Sequence, residues 1–248
     1  MQGIGREFLE KTEHRQLSAS DQERGVPQPP LEVRLREGEG EVVELPDPQG
    51  APHGGLSLRE AIEARRSLRE YSETPLSLAE LSYLLWSTQG VSRVIPDRAT
   101  FRTVPSAGAR HAFETVLCVN RIDGLTPGGY QYLALEHRLA RLDTSPGLAE
   151  RLADACLGQP FVARSAATFL WVADRRRMGW RYGERGVRYL FLDAGHVCQN
   201  LYLAAESIGA GACAIGAFDD GRVNELLGLD GAERFVVYLA TVGKRAQR

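Results

Sequence analysis

Residues 209–218 read GAGACAIGAF, a run whose glycine spacing would suit two very different folds. One is the dinucleotide-binding fingerprint, which requires a strand before the glycines and a helix opening on them. The preceding sequence does the opposite. Glu184 to Ile208 is the longest helical candidate in the chain, so a helix leads into the glycines and a doubly wound nucleotide-binding sheet is excluded. The small residues do permit close approach of backbone N–H groups to a flat ligand, with a plain tight turn as the alternative.

On that helix the polar residues Asp193, His196, Gln199, Asn200, Glu206 and Ser207 fall within about 140° of the wheel, leaving the rest apolar or small. With Ala194, Gly195, Ala204 and Ala205 allowing close approach, this reads as a mostly buried central helix suited to a subunit interface. Downstream, NELLGLDG (224–231) reads as a short helix and RFVVYLATVG (234–243) as a closing strand. Upstream, AATFLWVAD (166–174) is a strand, and Ser145 with Pro146 opens a short helix to about Leu157. AFETVLCVN (112–120) and GYQYLALEHRLARLD (129–143) are β-rich runs around the turn DGLTPGG, forming an antiparallel meander. Two capping boxes, Ser57 with Glu60 and Ser77 with Glu80, open two earlier helices. Residues 1–55, punctuated by GVPQPP, LPDPQG and APHGG, have no periodicity for a core of their own and read as an extended arm. The order is α+β, an antiparallel-rich mixed sheet flanked by helices.

The chain has 248 residues, 43% hydrophobic, enough for a substantial core. Thirty basic residues against 32 acidic give a formal charge of −2, so no global field favours nucleic acid or an anionic membrane. Cys118, Cys156, Cys198 and Cys213 make no CxxC pair, and His196 and Cys198 point in different directions on one helix, so no metal site is expected. The polar N-terminus and the lack of a long apolar run make cytoplasmic residence the expectation. Apart from Lys11 and Lys244, every basic residue is arginine.

ARRSLREY (64–71) concentrates that arginine around one serine. Glu63 and Glu70 lie within pairing distance of Arg66 on a helix, which would make Arg66 a surface residue. If the helix continues, Arg65 and Arg69 stack on one face; if it stops near Ser67, alternate residues Ser67, Arg69 and Tyr71 share one side of an extended segment. Either way guanidinium groups and a hydroxyl can converge, as a phosphate or carboxylate requires. TVPSAGARHAFE (103–114) likewise offers a serine and small residues just before a strand.

Together these three stretches resemble the flavin-dependent nitroreductase superfamily, and within it the SagB-type branch that oxidises thiazolines and oxazolines in peptides. The likeness runs from about residue 56 to the end and implies a nitroreductase-like FMN-binding domain over 56–248, working as a homodimer. By resemblance, Arg65, Arg66, Ser67 and Arg69 grip the FMN phosphate, helped by Lys244 and Arg245. Pro105, Ser106, Ala107 and Gly108 lie against the flavin, and backbone N–H groups of Gly216 and Ala217 approach its reactive edge. The branch carries a Lys-Tyr pair for proton removal, matched here by Arg181 and Tyr182. A guanidinium can stabilise negative charge but cannot act as the base, which leaves Tyr182. The implied reaction is dehydrogenation of an azoline-type small molecule or peptide heterocycle with hydride transfer to flavin N5. NAD(P)H-dependent nitro or quinone reduction, and noncatalytic flavin binding within a peptide-modifying complex, are the alternatives.

Overall fold

Seven strands pair antiparallel in the order β1-β6-β5-β4-β7-β9-β8. They are β1 (Val42–Glu44), β4 (Phe113–Val119), β5 (Gly128–Leu133), β6 (Arg138–Asp143), β7 (Ala167–Asp174), β8 (Ala210–Ile215) and β9 (Arg234–Lys244), while β2 (Val91–Ile95) and β3 (Ala99–Arg102) form a separate hairpin. The computed structural model describes residues 3–36, 41–50, 55–143 and 145–246, so most of the APHGG turn lies outside the described residues. Strands β4 and β7 are buried at every position. Their near-continuous apolar runs are what a strand covered on both faces requires.

Strand periodicity distributes these side chains between two cores. Phe169, Trp171 and Leu117 face α3 (Leu78–Gln89) and α7 (Gly186–Ser207), packing with Leu81, Leu84, Leu85, Ala194, Val197 and Leu201. Leu170, Val172 and Val116 face the opposite layer of α4 (Leu148–Ala155), α5 (Phe161–Arg164) and α8 (Asp220–Leu227). Both expected capping boxes are formed, at the starts of α2 (Leu58–Ala64) and α3. The remaining helices are α1 (Ile4–Lys11) and α6 (Arg175–Tyr182). No helix among the described residues is long and apolar enough to cross a membrane.

Three readings of the sequence need correction. The polar arc of α7 is not its exposed face: Asp193 and Glu206 are buried, while Phe191 and Leu192 are 55% and 59% exposed. Asp193 turns inward to Ser106 and Glu206 to Arg245, so buried partners override the division of the helix into polar and apolar sides. Residues 210–215 of the glycine-rich run form an edge strand rather than the tight turn of the alternative reading. Helix α8 begins at Asp220, four residues before the expected start, because Asp219 caps it through the Arg222 N–H.

The arm follows the body closely. Gln22 N–H donates to the Trp180 carbonyl at 2.9 Å, Val33 N–H to Glu114 at 3.0 Å, and β1 adds to the sheet beside β6. Beneath it lies a buried ionic cluster in which Arg177 meets Glu114 and Asp174, all under 9% exposed. Burial, then the Glu114 carboxylate, pushes nearby Glu32 up to about 7. Arg177→Ala leaves two carboxylates without their partner and should cost about 3–5 kcal/mol. Urea unfolding measures it; a loss below about 1 kcal/mol, the scale of an exposed pair, would show the network to be unimportant for stability.

Candidate active site

The RRS segment is extended, the second of the two geometries its sequence allowed. Arg65 ends α2, Ser67 bridges in parallel to Ala212, and Leu68 N–H donates to the Ala212 carbonyl at 2.9 Å. Gly211 makes this crossing possible, because a Cβ there would lie 2.7 Å from a Leu68 methyl group. The glycine-rich run and the arginine-rich run are thus two sides of one construction. Ser67 Oγ lies 3.0 Å from the Tyr202 hydroxyl, which accepts from Ala214 N–H at 2.8 Å. Tyr202, unremarked in the sequence, therefore ties α7 to both segments.

Arg65 and Arg69 sit near aromatic rings, with guanidinium carbons 5.3 Å from the Tyr202 centroid and 5.9 Å from that of Phe161. Neither meets a carboxylate among the described residues. Arg66 instead donates to the carbonyls of Glu63 and Arg65 at 2.9 and 2.7 Å, closing the end of α2, while the Glu63 carboxylate pairs with Arg59. Lys244 pairs with Glu80 and donates to the Ile208 carbonyl at 3.2 Å; Arg245 pairs with Glu206. Their backbone adjoins the same segment, through Ser72 N–H on the Lys244 carbonyl and the Tyr71–Arg245 bridge, but their charges are met within the chain. Free positive charge beside Ser67 comes from Arg65 and Arg69. Gly216 and Ala217, exposed just past β8, leave open space: nothing among the described residues lies within 4 Å of where a Gly216 Cβ would be.

A second cluster forms around Pro105 to Gly108. Ser106 Oγ donates to Asp193 at 2.6 Å and accepts His111 N–H at 2.9 Å, while Ala107 N–H reaches Asp193 at 3.2 Å. Gly108, Ala109 and His111 all hold positive φ, at 54°, 53° and 43°, strained values for the two non-glycine residues. Arg177 donates to the His111 carbonyl at 3.0 Å and helps hold that loop. Burial, then Arg102, Arg110 and Arg177, pushes His111 down to about 3, so its ring is neutral near pH 7.

Over this loop stand Arg181 and Tyr182, at the end of α6, which Gly183 terminates. A Cβ on Gly108 would lie 2.4 Å from the Tyr182 hydroxyl and 2.8 Å from Arg181 Nε. Only glycine permits that approach. Tyr182 packs edge-on against Tyr189, ring centroids 4.7 Å apart. Asp193, holding Ser106, and Tyr202, holding Ser67, are nine residues apart on α7, about 13.5 Å along its axis at 1.5 Å per residue. One helix therefore carries both clusters.

The donor types fit the phosphate of FMN: one extended segment carries two guanidinium groups that meet no carboxylate among the described residues, with the Ser67 hydroxyl between them in sequence. The helix-flanked antiparallel sheet is a nitroreductase-like fold. The chain belongs to the nitroreductase family, whose model matches residues 62–244. It is 36% identical over 206 residues to a Methanocaldococcus jannaschii protein assigned to the nitroreductases, an alignment covering 83% of this chain and 97% of that one. Likeness to the trifolitoxin-processing protein TfxB of Rhizobium leguminosarum bv. trifolii is 29% over 154 residues, 60% of this chain but only 41% of TfxB. A solved structure assigned to the nitroreductases, from Ralstonia eutropha JMP134, superposes with TM-score 0.69 at 26% identity, covering 90% of this chain and 98% of that one.

Proposed function

We propose that this chain is an FMN-dependent dehydrogenase of azoline-type heterocycles, acting as a homodimer. The carrying observation is the approach of the Tyr182 hydroxyl and Arg181 to Gly108, which gathers a proton-transfer group and a fixed positive charge over the Pro105–Gly108 loop. The likeness to a toxin-processing protein supports a peptide-derived substrate. FMN, when bound, supplies a two-electron acceptor at N5. Arg65, Arg69 and Ser67 would hold its phosphate, and the Gly216–Ala217 backbone N–H groups would approach its ring. Tyr182 is the group that receives the proton leaving the azoline carbon while the electron pair departs as hydride. Arg181 stabilises the negative charge on either oxygen or substrate, and the Asp193–Ser106 bond keeps the loop beneath them in place.

Anaerobic stopped-flow reduction tests the reading. Bleaching of the bound flavin by a thiazoline or oxazoline is expected. Bleaching by NAD(P)H alone would instead establish a nitro or quinone reductase, and bleaching by neither a flavin-binding partner.

The homodimer reading is supported by apolar side chains exposed on two touching helices, Phe191 and Leu192 of α7 and Leu58 and Ile62 of α2, all more than half exposed. Obligate interfaces commonly bury about 2,000 Å² or more in total. Sedimentation at micromolar concentration should give a dimer, and Leu192→Glu, which places a charge in that surface, a monomer. A wild-type monomer carrying flavin contradicts the assignment.

A further inference from the structure

Part of the arm crosses the body as a strap held at its two ends. At one end Thr12 is 4% exposed: its carbonyl accepts from an Arg185 terminal nitrogen at 2.8 Å and its hydroxyl from Arg188 Nε at 2.5 Å. At the other, Gln22 N–H donates to the Trp180 carbonyl at 2.9 Å, and the Trp180 indole donates to the Val26 carbonyl at 2.8 Å. Between these anchors the hydrogen bonds stay within the arm. Leu17 N–H donates to the His14 carbonyl at 3.2 Å, and the Ser20 N–H and hydroxyl both go to Glu23, at 2.8 and 2.9 Å. Among the described residues, no hydrogen bond or ion pair from residues 13–21 reaches the body.

The middle of the strap borders open space. A cavity of about 450 Å³ is lined by Arg181, Tyr182 and Tyr189 from the ends of α6 and α7 and by Leu17, Ser18 and Gln22 from the arm. Its volume falls in the range of small-molecule sites. The body supplies the Arg181 guanidinium and two tyrosine rings packed edge-on, whereas the arm supplies one apolar side chain and small polar ones. The Ser18 and Gln22 side chains make no hydrogen bond within the chain among the described residues, and the Glu23 carboxylate is turned back onto Ser20. Ser18 is exposed and Leu17 half-buried, so a changed side chain at either position alters the cavity rather than the core.

We propose that residues 17–22 of the arm are a wall of the substrate pocket, with Leu17 and Ser18 setting how large a substituent the planar heterocycle can carry. This rests on the reading of Arg181 and Tyr182 as the substrate side of the site. The pair that handles the proton and the strap line one cavity, so a heterocycle seated against Tyr182 fills space that the arm bounds. A segment pinned at both ends can vary its middle residues without disturbing the fold, which suits an element that sets specificity.

The test is calorimetric titration of the full-length, flavin-loaded protein with 2-phenylthiazole and 2-naphthylthiazole, planar probes that differ in size and need no turnover. Ser18→Trp, which puts an indole into the cavity from an exposed position, should weaken both probes by at least about tenfold while the flavin stays bound. Leu17→Ala should shift the preference toward the naphthyl probe by about tenfold. Arg15→Trp, on the same strap but outside the cavity lining, should change neither. Parental binding by both Ser18→Trp and Leu17→Ala overturns the proposal, as does absence of binding of either probe by the wild type. So does an Arg15→Trp effect as large as that of Ser18→Trp, which would show only a general disturbance of the arm. Size selection that follows Leu17 and Ser18 without bleaching of the flavin by a thiazoline leaves the wall standing and removes the dehydrogenase reading; bleaching by a thiazoline with both variants like the parent does the reverse.

Discussion

The double variant Arg65→Ala/Arg69→Ala is expected to purify folded and colourless. Both guanidinium groups lie on an extended, largely exposed segment and contribute to stability only through aromatic contacts at 5.3 and 5.9 Å, worth about 0.5–1 kcal/mol each at such sites. Their loss should move the melting temperature by a few degrees at most. The effect on flavin is larger, because hydrogen bonds to a charged group are worth about 1.5–3 kcal/mol each. Two such losses weaken FMN binding by about 10²–10⁴-fold. Lys244 and Arg245 cannot compensate without leaving Glu80 and Glu206, which are 7% and 6% exposed. Released flavin is read by absorbance after gel filtration, and full occupancy in the double variant would remove the phosphate assignment from these residues. Arg66→Ala is the internal control: its guanidinium closes α2, and the variant should keep its colour.

The parts of this molecule visible in the sequence are those whose causes are local. Ser57 with Glu60 and Ser77 with Glu80 close their boxes within a single turn, so spacing alone reports them. Strand β7 announces itself because both its faces are buried and every position is filled accordingly. The hidden parts depend on partners far away in the chain. AGACAI has no bulky side chain to mark a strand; its extended form comes from β9 and from the crossing of Leu68. Asp193 looks like a surface residue until Ser106, 87 positions earlier, arrives to bond it. Tyr202 gave no signal either, since an isolated tyrosine on a helix acquires a role only through the backbone it reaches. The arm likewise carries β1, its one strand among the described residues, because β6 offers a free edge.

Replacing Tyr182 with phenylalanine should leave the yellow protein intact and remove azoline oxidation. The ring, with its edge-on contact to Tyr189 at 4.7 Å, is retained, and the hydroxyl alone is lost from above Gly108. That hydroxyl makes no hydrogen bond within the chain among the described residues, so its removal orphans no protein partner and little stability should be lost. If it takes the substrate proton, the rate should fall by about 10²–10⁴-fold, the usual contribution of a positioned general base. Arg181 and Arg110 cannot replace it, being guanidinium cations without a lone pair to offer; Asp193 is committed to Ser106 and Ala107, and His111, pushed down to about 3 by burial, is too weak a base. Arg181→Lys separates the roles of the pair. A lysine keeps the positive charge and can lose a proton, so this variant should match or exceed the parental rate, while Arg181→Gln, lacking both, should be slower. Single-turnover flavin reduction by a thiazoline measures each variant directly, free of product release. Parental reduction by Tyr182→Phe would show that the proton leaves by another route, and unchanged NAD(P)H-driven nitroaromatic reduction in the same variant would assign this pocket to reductase chemistry, which requires no base on the substrate carbon.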